Sequence, residues 1–506
     1  MANGGIIGPP NIPTSTTATG VWQQEEQYEA KVTDTWPQRT LFTTKSLRFN
    51  DGSSDYLSRN EGAGNRRTFT LSAWCKRSGI SSSNTIFSSG TNGDNYFFID
   101  FSNNNHIQCL DVGSGSYQIR LDSNRLIRDL SAWYHIVLAI DTTQGTASNR
   151  VKLYVNGVQE TSFSTATYPS QNYDTNLNNS NTANIGRYVI ESSRYYDGYL
   201  SEVILVDGQQ LDPTSFGVAN SDGIWTPIIY SGTYGTNGFN LQFEDAAALG
   251  TDSSPNGNTF TVNNLTSIDQ STDYPENNFA TMNPLNVPTS NAPTFAEGNL
   301  FTESVTGGTS TFAFGGSSTF GLTKGKWYLE AKCGSTGNRD SIGVIGEAST
   351  SARTNKGGSE LTNSSYFLQG ESGVVFVNTV STGSFSTFTN NDIIGIALDL
   401  DNNKLYFRKN AEAWGNSGDP TSGATGTGAI SLASISSTTD GAYFISNACT
   451  AGGGAASAKS VFSYNFGSPP YAISSGNTDG NGYGNFEYAV PSSYYSLCTK
   501  NLAEYG

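Results

Sequence analysis

Thr68-Phe69-Thr70-Leu71-Ser72-Ala73-Trp74-Cys75-Lys76, Tyr134-His135-Ile136-Val137-Leu138-Ala139-Ile140 and Val151-Lys152-Leu153-Tyr154-Val155-Asn156-Gly157 decide the fold class. In the first, Phe69, Leu71, Ala73 and Cys75 share one side, the period-two mark of a half-buried strand. Tyr134, Ile136, Leu138 and Ile140 repeat that pattern, and Val137 and Ala139 make the other side apolar too. Val151, Leu153 and Val155 alternate up to Asn156-Gly157, a pair suited to a two-residue type I′ hairpin. The run Tyr199 to Val206 ends in Asp207-Gly208, which predicts a second such turn. Many short strands with regular turns predict a β-sandwich.

Composition agrees. The 506 residues include 56 glycines and 12% aromatics, with only 14% charged side chains. Disordered chains are poor in aromatics and helical bundles are rich in Lys, Glu and Leu, so both are excluded. The net charge of −16, with no basic cluster, argues against a nucleic-acid partner. Apolar runs fall far short of the ~20 residues of a membrane span, so none is expected. Lys31 is the first basic side chain, and Pro9, Pro10 and Pro13 interrupt the N-terminus, which is not expected to be a secretory signal. Cys75, Cys109, Cys333, Cys449 and Cys498 lie far apart without a CxxC pair. They are expected to be buried free thiols, a Cys75–Cys109 bridge being the alternative. His106 and His135 are the two histidines; His135, inside an apolar run, is expected to be packed rather than to act as a base.

Along the chain the expected organisation is an N-terminal arm (1–40), a first sandwich (41–249), a connector rich in Asn, Pro and Thr (250–295), a second sandwich (296–470) and a C-terminal segment (471–506). In the arm, Val21, Tyr28 and Val32 give one narrow apolar face to a short helix that Trp36-Pro37 ends. A helix of about twelve residues is marginal alone in water, so the arm is expected to dock, with Val21, Trp22, Tyr28, Val32 and Trp36 as its contacts. In the second sandwich, Ile394, Ile396, Leu398 and Leu400 alternate, Asp401-Asn402-Asn403 turns, and Leu405 and Phe407 return. The fold class is therefore all-β: two antiparallel β-sandwiches in tandem, preceded by an extended arm with one short helix.

Leu47-Arg48-Phe49-Asn50-Asp51-Gly52 with Ser53-Ser54-Asp55-Tyr56-Leu57, then Phe69 to Trp74, Trp133 to Val137, Leu153 to Gly157 and Asn184-Ile185-Gly186-Arg187 resemble the laminin-G/concanavalin-A-like jelly-roll family. That resemblance implies two packed antiparallel sheets, Trp74 and Trp133 at core or near-core positions, and glycan or protein binding at one rim. Gly325-Lys326-Trp327-Tyr328-Leu329-Glu330-Ala331, the 394–407 hairpin, Trp414 to Pro420 and Phe462 to Gly467 are similar to the SPRY family, which implies a second concanavalin-like, protein-binding sandwich. Pro491 to Leu502 resembles the closing segment of tail proteins from tailed bacteriophages, and Gly5 to Pro37 resembles the opening of virion proteins from marine and cyanobacterial phages. These imply a non-enzymatic virion protein, made in the host cytoplasm, in a tail fibre or similar appendage. Its partners would be other virion proteins through the arm and a host-surface glycan or protein, in a homo-oligomer such as a trimer. A head decoration, cement or head-fibre protein is the alternative, and a glycan-degrading virion enzyme the second.

Chemistry is sparse. A retaining glycosidase needs two carboxylates ~5–5.5 Å apart, but no Glu-x-Asp-x-x-Glu occurs. Glu330 stands alone, and Glu244 and Asp245 on a strand would face opposite ways. No catalytic residue and no organic cofactor is expected. The laminin-G resemblance leaves Ca²⁺ open, with Asp94, Asn95 and Asp174 as candidate ligands, since loop oxygens suit that ion. Tyr168, Tyr173, Tyr195, Tyr196 and Trp414, in polar stretches, are the candidates for stacking on a glycan or meeting a receptor.

Overall fold

The computed structural model describes residues 44–288, 292–305, 312–334, 340–347, 364–378, 380–383, 385–450 and 459–506. The arm, with Val21, Trp22, Tyr28, Val32 and Trp36, lies outside the described residues. The chain is mostly β, and each sandwich is a pair of sheets. In the first, one sheet runs in the order Val158–Gln159, Val151–Val155, Tyr134–Asp141, Thr68–Arg77, Gly198–Asp207, Ser46–Phe49, Gln270–Ser271, with Phe239–Leu241 also on Gly198–Asp207. Its partner runs Phe163–Thr167, Ser116–Leu126, His106–Gly113, Asn95–Phe101, Asn84–Asn92, Thr182–Ile185, Tyr56–Asn60, Thr261–Asn263. All the pairings are antiparallel.

Alternation fixes which side chains meet. Phe69, Leu71, Ala73 and Cys75 point into the core with Ile136, Leu138 and Ile140, because a one-residue slip would turn every one of them outward. Asn156 and Gly157, at φ 47° and 79°, make the expected tight turn. Asp207-Gly208 does not close a hairpin. The strand ending at Asp207 pairs with distant segments, and its carboxylate instead accepts from Asn65 N, Asn178 Nδ2 and Asn237 N. The same residue types serve a turn or a buried polar hub, and only the fold distinguishes them. The stretch read as a connector also differs, since Thr261–Asn263 and Gln270–Ser271 each add a strand to the first sandwich. All five cysteines are buried free thiols, so Cys75 and Cys109 form no bridge.

In the second sandwich, Thr294–Ala296, Phe301–Val305, Lys459–Asn465, Lys326–Cys333, Ile393–Asp399, Lys404–Lys409 and Ile430–Ser431 form one sheet. The other is Phe312–Ser317, Phe444–Thr450, Asp340–Ile345, Ser365–Gln369, Val375–Val377 and Val380–Thr382. The C-terminal segment folds back onto this body: Tyr495–Ser496 lies parallel to Lys326–Cys333, and the helix Thr499–Tyr505 packs Leu502 and Tyr505 on the core. Glu330 clamps that segment. Its Oε1 accepts from Tyr328 Oη (3.0 Å) and Tyr488 N (2.8 Å), and its Oε2 from Glu487 N (2.9 Å) and Asn465 Nδ2 (3.3 Å). A buried carboxylate so fully used is a structural acceptor.

The two sandwiches meet on the outer face of the first sheet. Arg48, fully buried, donates to Glu297 Oε2 (3.2 Å), Asp269 Oδ1 (3.3 Å), Ile268 O (3.1 Å) and Pro469 O (3.3 Å). Lys76 Nζ donates to Asp273 Oδ2 (2.7 Å), Asn278 Oδ1 (2.6 Å) and Phe279 O (3.3 Å). Tyr199 Oη reaches Gly298 O (3.0 Å), and Asn299 Nδ2 reaches Ser78 O (2.9 Å). Removing one partner of such an ion pair strands a charge away from water and costs ~3–5 kcal/mol, whereas replacing both with apolar groups can be nearly neutral. Lys76→Met is therefore expected to destabilise the chain by about that amount in urea unfolding, and Lys76→Met/Asp273→Leu to recover most of the loss. A double variant as unstable as the sum of the singles would contradict this account.

Stability also follows pH. Burial pushes Glu61 and Asp100 up to about 7 and Asp111 up to about 6. The folded chain thus keeps protons that the unfolded chain releases near pH 4, so these groups make stability fall as pH rises from about 4 to about 7. Asp141 and Asp174, held below the usual carboxylate range by hydrogen bonds, give their stabilisation in full by pH 5.5, and buried His135, held down to about 3, opposes the trend up to about pH 6.5 as one group against three. Calorimetry is expected to show a higher Tm at pH 5.5 than at pH 8; the opposite order would refute the assignment.

Candidate functional site

Residues that point away from the core of the first sheet build an aromatic cleft. Trp74 and His135 are register partners on that outer face. Their rings stack with centroids 4.7 Å apart, and Trp225 lies nearly parallel to the imidazole with its centroid 6.1 Å away. Trp225 comes from the small hairpin Gly217–Ala219/Trp225–Pro227. Two glycines let it approach: a Cβ at Gly157 would lie 2.7 Å from its ring, and one at Gly217 2.6 Å. Trp225 Nε1 donates to His135 Nδ1 (2.9 Å). An indole nitrogen can only donate, so Nδ1 is the acceptor, the proton sits on Nε2, and Ser72 Oγ (2.8 Å) receives it. Burial pushes the His135 pKa down to about 3, so the ring is neutral. His135 is thus the packed sheet-face histidine that its run predicts.

Trp133 precedes the same strand, and its Nε1 donates to Asp273 Oδ1 (2.9 Å), the carboxylate that binds Lys76. The ion pair at the junction therefore also aims this indole. Facing the tryptophans across an open cleft of about 680 Å³ are Pro275, Glu276 and Asn278, with Thr499 and Lys500 from the C-terminal helix. Asn156 and Asn220 complete the rim. Their Oδ1 atoms accept from His135 N and from Asp222 N and Ile224 N, which leaves both Nδ2 groups without a bond to a described residue. Lys500 Nζ donates to Tyr274 Oη (3.1 Å). The cleft offers flat apolar surface, two uncommitted amide donors and one group of each charge. That is equipment for binding and orienting a ligand. Among the described residues no three His, Cys, Asp or Glu are grouped to hold a metal.

None of the aromatics that the sequence offered for ligand contact lines this cleft. Tyr196 is a correction: it is fully buried, edge-on to Phe49 at 6.0 Å, with its hydroxyl on Lys76 O and Tyr199 O, so no ligand can stack on it. Tyr173 spends its hydroxyl on Asp111 Oδ1 (2.7 Å), and Tyr168 packs against the core. Tyr195 is half-buried beside Tyr56, with Arg187 over both rings. Trp414 belongs to the second sandwich, beneath Arg408 and edge-on to Tyr328 and Tyr406. Of the calcium candidates, Asp174 binds Arg67 at 2.7 Å, while Asp94 is exposed and Asn95 Oδ1 accepts from Ser114 N. Trp74 and Trp133 are buried as expected, yet in a cluster of their own with Tyr199 outside the main core. Sequence reading missed Trp225 as a site residue. Its three-residue strand shows no alternation, and the usable hint was a tryptophan near two glycine-bearing turns.

Nitrogen-detected NMR is expected to find His135 in the Nε2–H form and unprotonated down to pH 5, whereas Trp225→Phe removes the donor to Nδ1 and shifts that signal. Titration of His135 near pH 6.5 in the native chain would overturn the assignment.

Among known proteins, residues 51–211 match the Concanavalin A-like lectin/glucanases superfamily, and residues 326–425 match the SPRY domain. No curated protein matches the chain. Similar solved structures include a Bacteroides ovatus protein provisionally described as carbohydrate-binding, at 19% identity and TM-score 0.33, covering 44% of this chain and 59% of that one. This chain thus spans under two thirds of that relative. A native heptameric SAP-like pentraxin from Limulus polyphemus is similar at 17% identity and TM-score 0.24, over 31% and 71%. The SPRY domain of human HERC1 is similar at 16% and 0.20, over 31% and 91%. Two separate stretches, 51–211 in the first sandwich and 326–425 in the second, thus each match a known domain model.

Proposed function

We propose that this is a non-catalytic binding protein whose first sandwich takes a glycan in the tryptophan cleft. The observation that carries the reading is the half-buried indole of Trp225, backed by the buried Trp74 and Trp133, beside the uncommitted amides of Asn156 and Asn220 on one open cleft. Indoles cover the apolar face of a sugar ring and amides take its hydroxyls. The carboxylate first weighed for catalysis, Glu330, is occupied by four donors in the other sandwich.

The proposal extends to setting. The resemblance of the opening and closing segments to phage virion proteins supports a place on the virion surface, in a tail fibre or similar appendage, held by the arm and presenting the sandwiches to the host. Oligomeric appendages add weak sites through effective concentration, so a modest single-site affinity suffices. Trp225→Ala is expected to weaken binding to a host-surface glycan preparation at least tenfold, about 1.4 kcal/mol, with the fold retained by circular dichroism. Unchanged binding would reject the cleft. Immunogold labelling of virions with antibody to the second sandwich is expected at the tail; label spread over the head would replace the appendage reading with head decoration.

A further inference from the structure

Resting on the glycan reading above, we infer that the cleft recognises an internal stretch of a neutral, linear glycan, two or more sugar rings at a time, rather than a terminal or an acidic sugar. Three features point there. The first is size. A volume of about 680 Å³ lies within the ~300–1,000 Å³ that holds drug-sized ligands, more than one sugar ring fills, and the site is an open cleft rather than an enclosed pocket. A terminal sugar is better held by a closed pocket, whereas an open cleft lets a chain enter and leave.

The second is the distribution of contacts. The lining groups come from five separate segments: Trp74, Trp133, Asn156 on the hairpin turn, Asn220 with Trp225 on the small hairpin, and Lys500 on the far wall. Such spreading gives successive rings their own partners.

The third is charge. Glu276 and Lys500 share the cleft, so it presents no single sign, and the chain as a whole carries −16. A uronate or sulfated chain would meet the long-range repulsion of the protein without a cationic cluster to offset it.

The test is tryptophan-fluorescence titration of the full chain with laminari-, cello- and chito-oligosaccharides of one to six units, and with oligogalacturonates of equal length. For at least one neutral series the Kd is expected to fall at least tenfold between one and three units and then level off. The oligogalacturonates are expected to bind at least tenfold more weakly than the neutral trimer at low salt, with the gap narrowing at 0.5 M salt as the repulsion is screened, and Trp225→Ala is expected to abolish the length dependence. A monosaccharide that binds as tightly as the trimer, or a preferred oligogalacturonate, overturns this inference while the glycan reading stands. No binding to any of the four series, with host-surface glycan binding also lost, overturns the glycan reading itself.

Discussion

A lysine ammonium and an aspartate carboxylate 2.7 Å apart, both shut away from water, pin the chain where it leaves the first sandwich for the second. Neither Lys76 nor Asp273 is tolerable there alone, because isolating either charge from solvent costs several kcal/mol. Lys76 Nζ therefore uses Asp273, Asn278 and Phe279 O together, and Asp273 divides its oxygens between Lys76 and Trp133. These demands fix where residues 273–279 run, and that run is one wall of the cleft. The Arg48 contacts to Asp269, Glu297 and Pro469 O extend the same logic along the seam. Because every donor must find its acceptor, the seam specifies one docking geometry more strictly than an apolar patch of equal area would.

That constraint changes what alternation means in the first sheet. Ser72, Trp74, Lys76, His135 and Val137 occupy the face that period two assigns to solvent, yet all are buried. Phe216, Tyr230 and Tyr234 cover Val137, and the seam covers Lys76. The sheet therefore has two interiors: an aliphatic and aromatic core between the sheets, and an outer layer of indole, imidazole and ammonium groups beneath later chain segments. The outer layer is where the cleft opens.

This explains what could be read in advance. Phe69, Leu71, Ala73 and Cys75 announce their strand because each sits against the core and its signal is local. Asn156-Gly157 announces its turn because positive φ at both positions is a local demand. The sandwiches themselves were legible for that reason. Lys76 gives no such sign, because its partner lies 197 positions away. Trp133 and Asp273 are 140 apart. Tyr196 was misjudged for the converse reason: a polar neighbourhood in sequence, Ser192 to Asp197, surrounds a residue whose ring enters the core. Asp207-Gly208 carried turn chemistry but serves as a buried hub for three donors.

The cleft is in consequence a property of chain closure rather than of either sandwich. Its floor is set at residues 74 and 133, its rim at 156, 220 and 225, and its far wall at 275–278 and 499–500. The far wall stands only because the C-terminal segment returns, gripped at Glu330 and by the bridge between Phe279 and Cys498. Trp225 stands upright only because Gly157 and Gly217 yield it space and His135 Nδ1 accepts its hydrogen bond. A change at either glycine would tilt the indole without touching any ligand, and a change at Glu330 would loosen the segment that carries Lys500. A ligand that bridges the two walls would therefore favour the docked arrangement by as much as docking favours its binding.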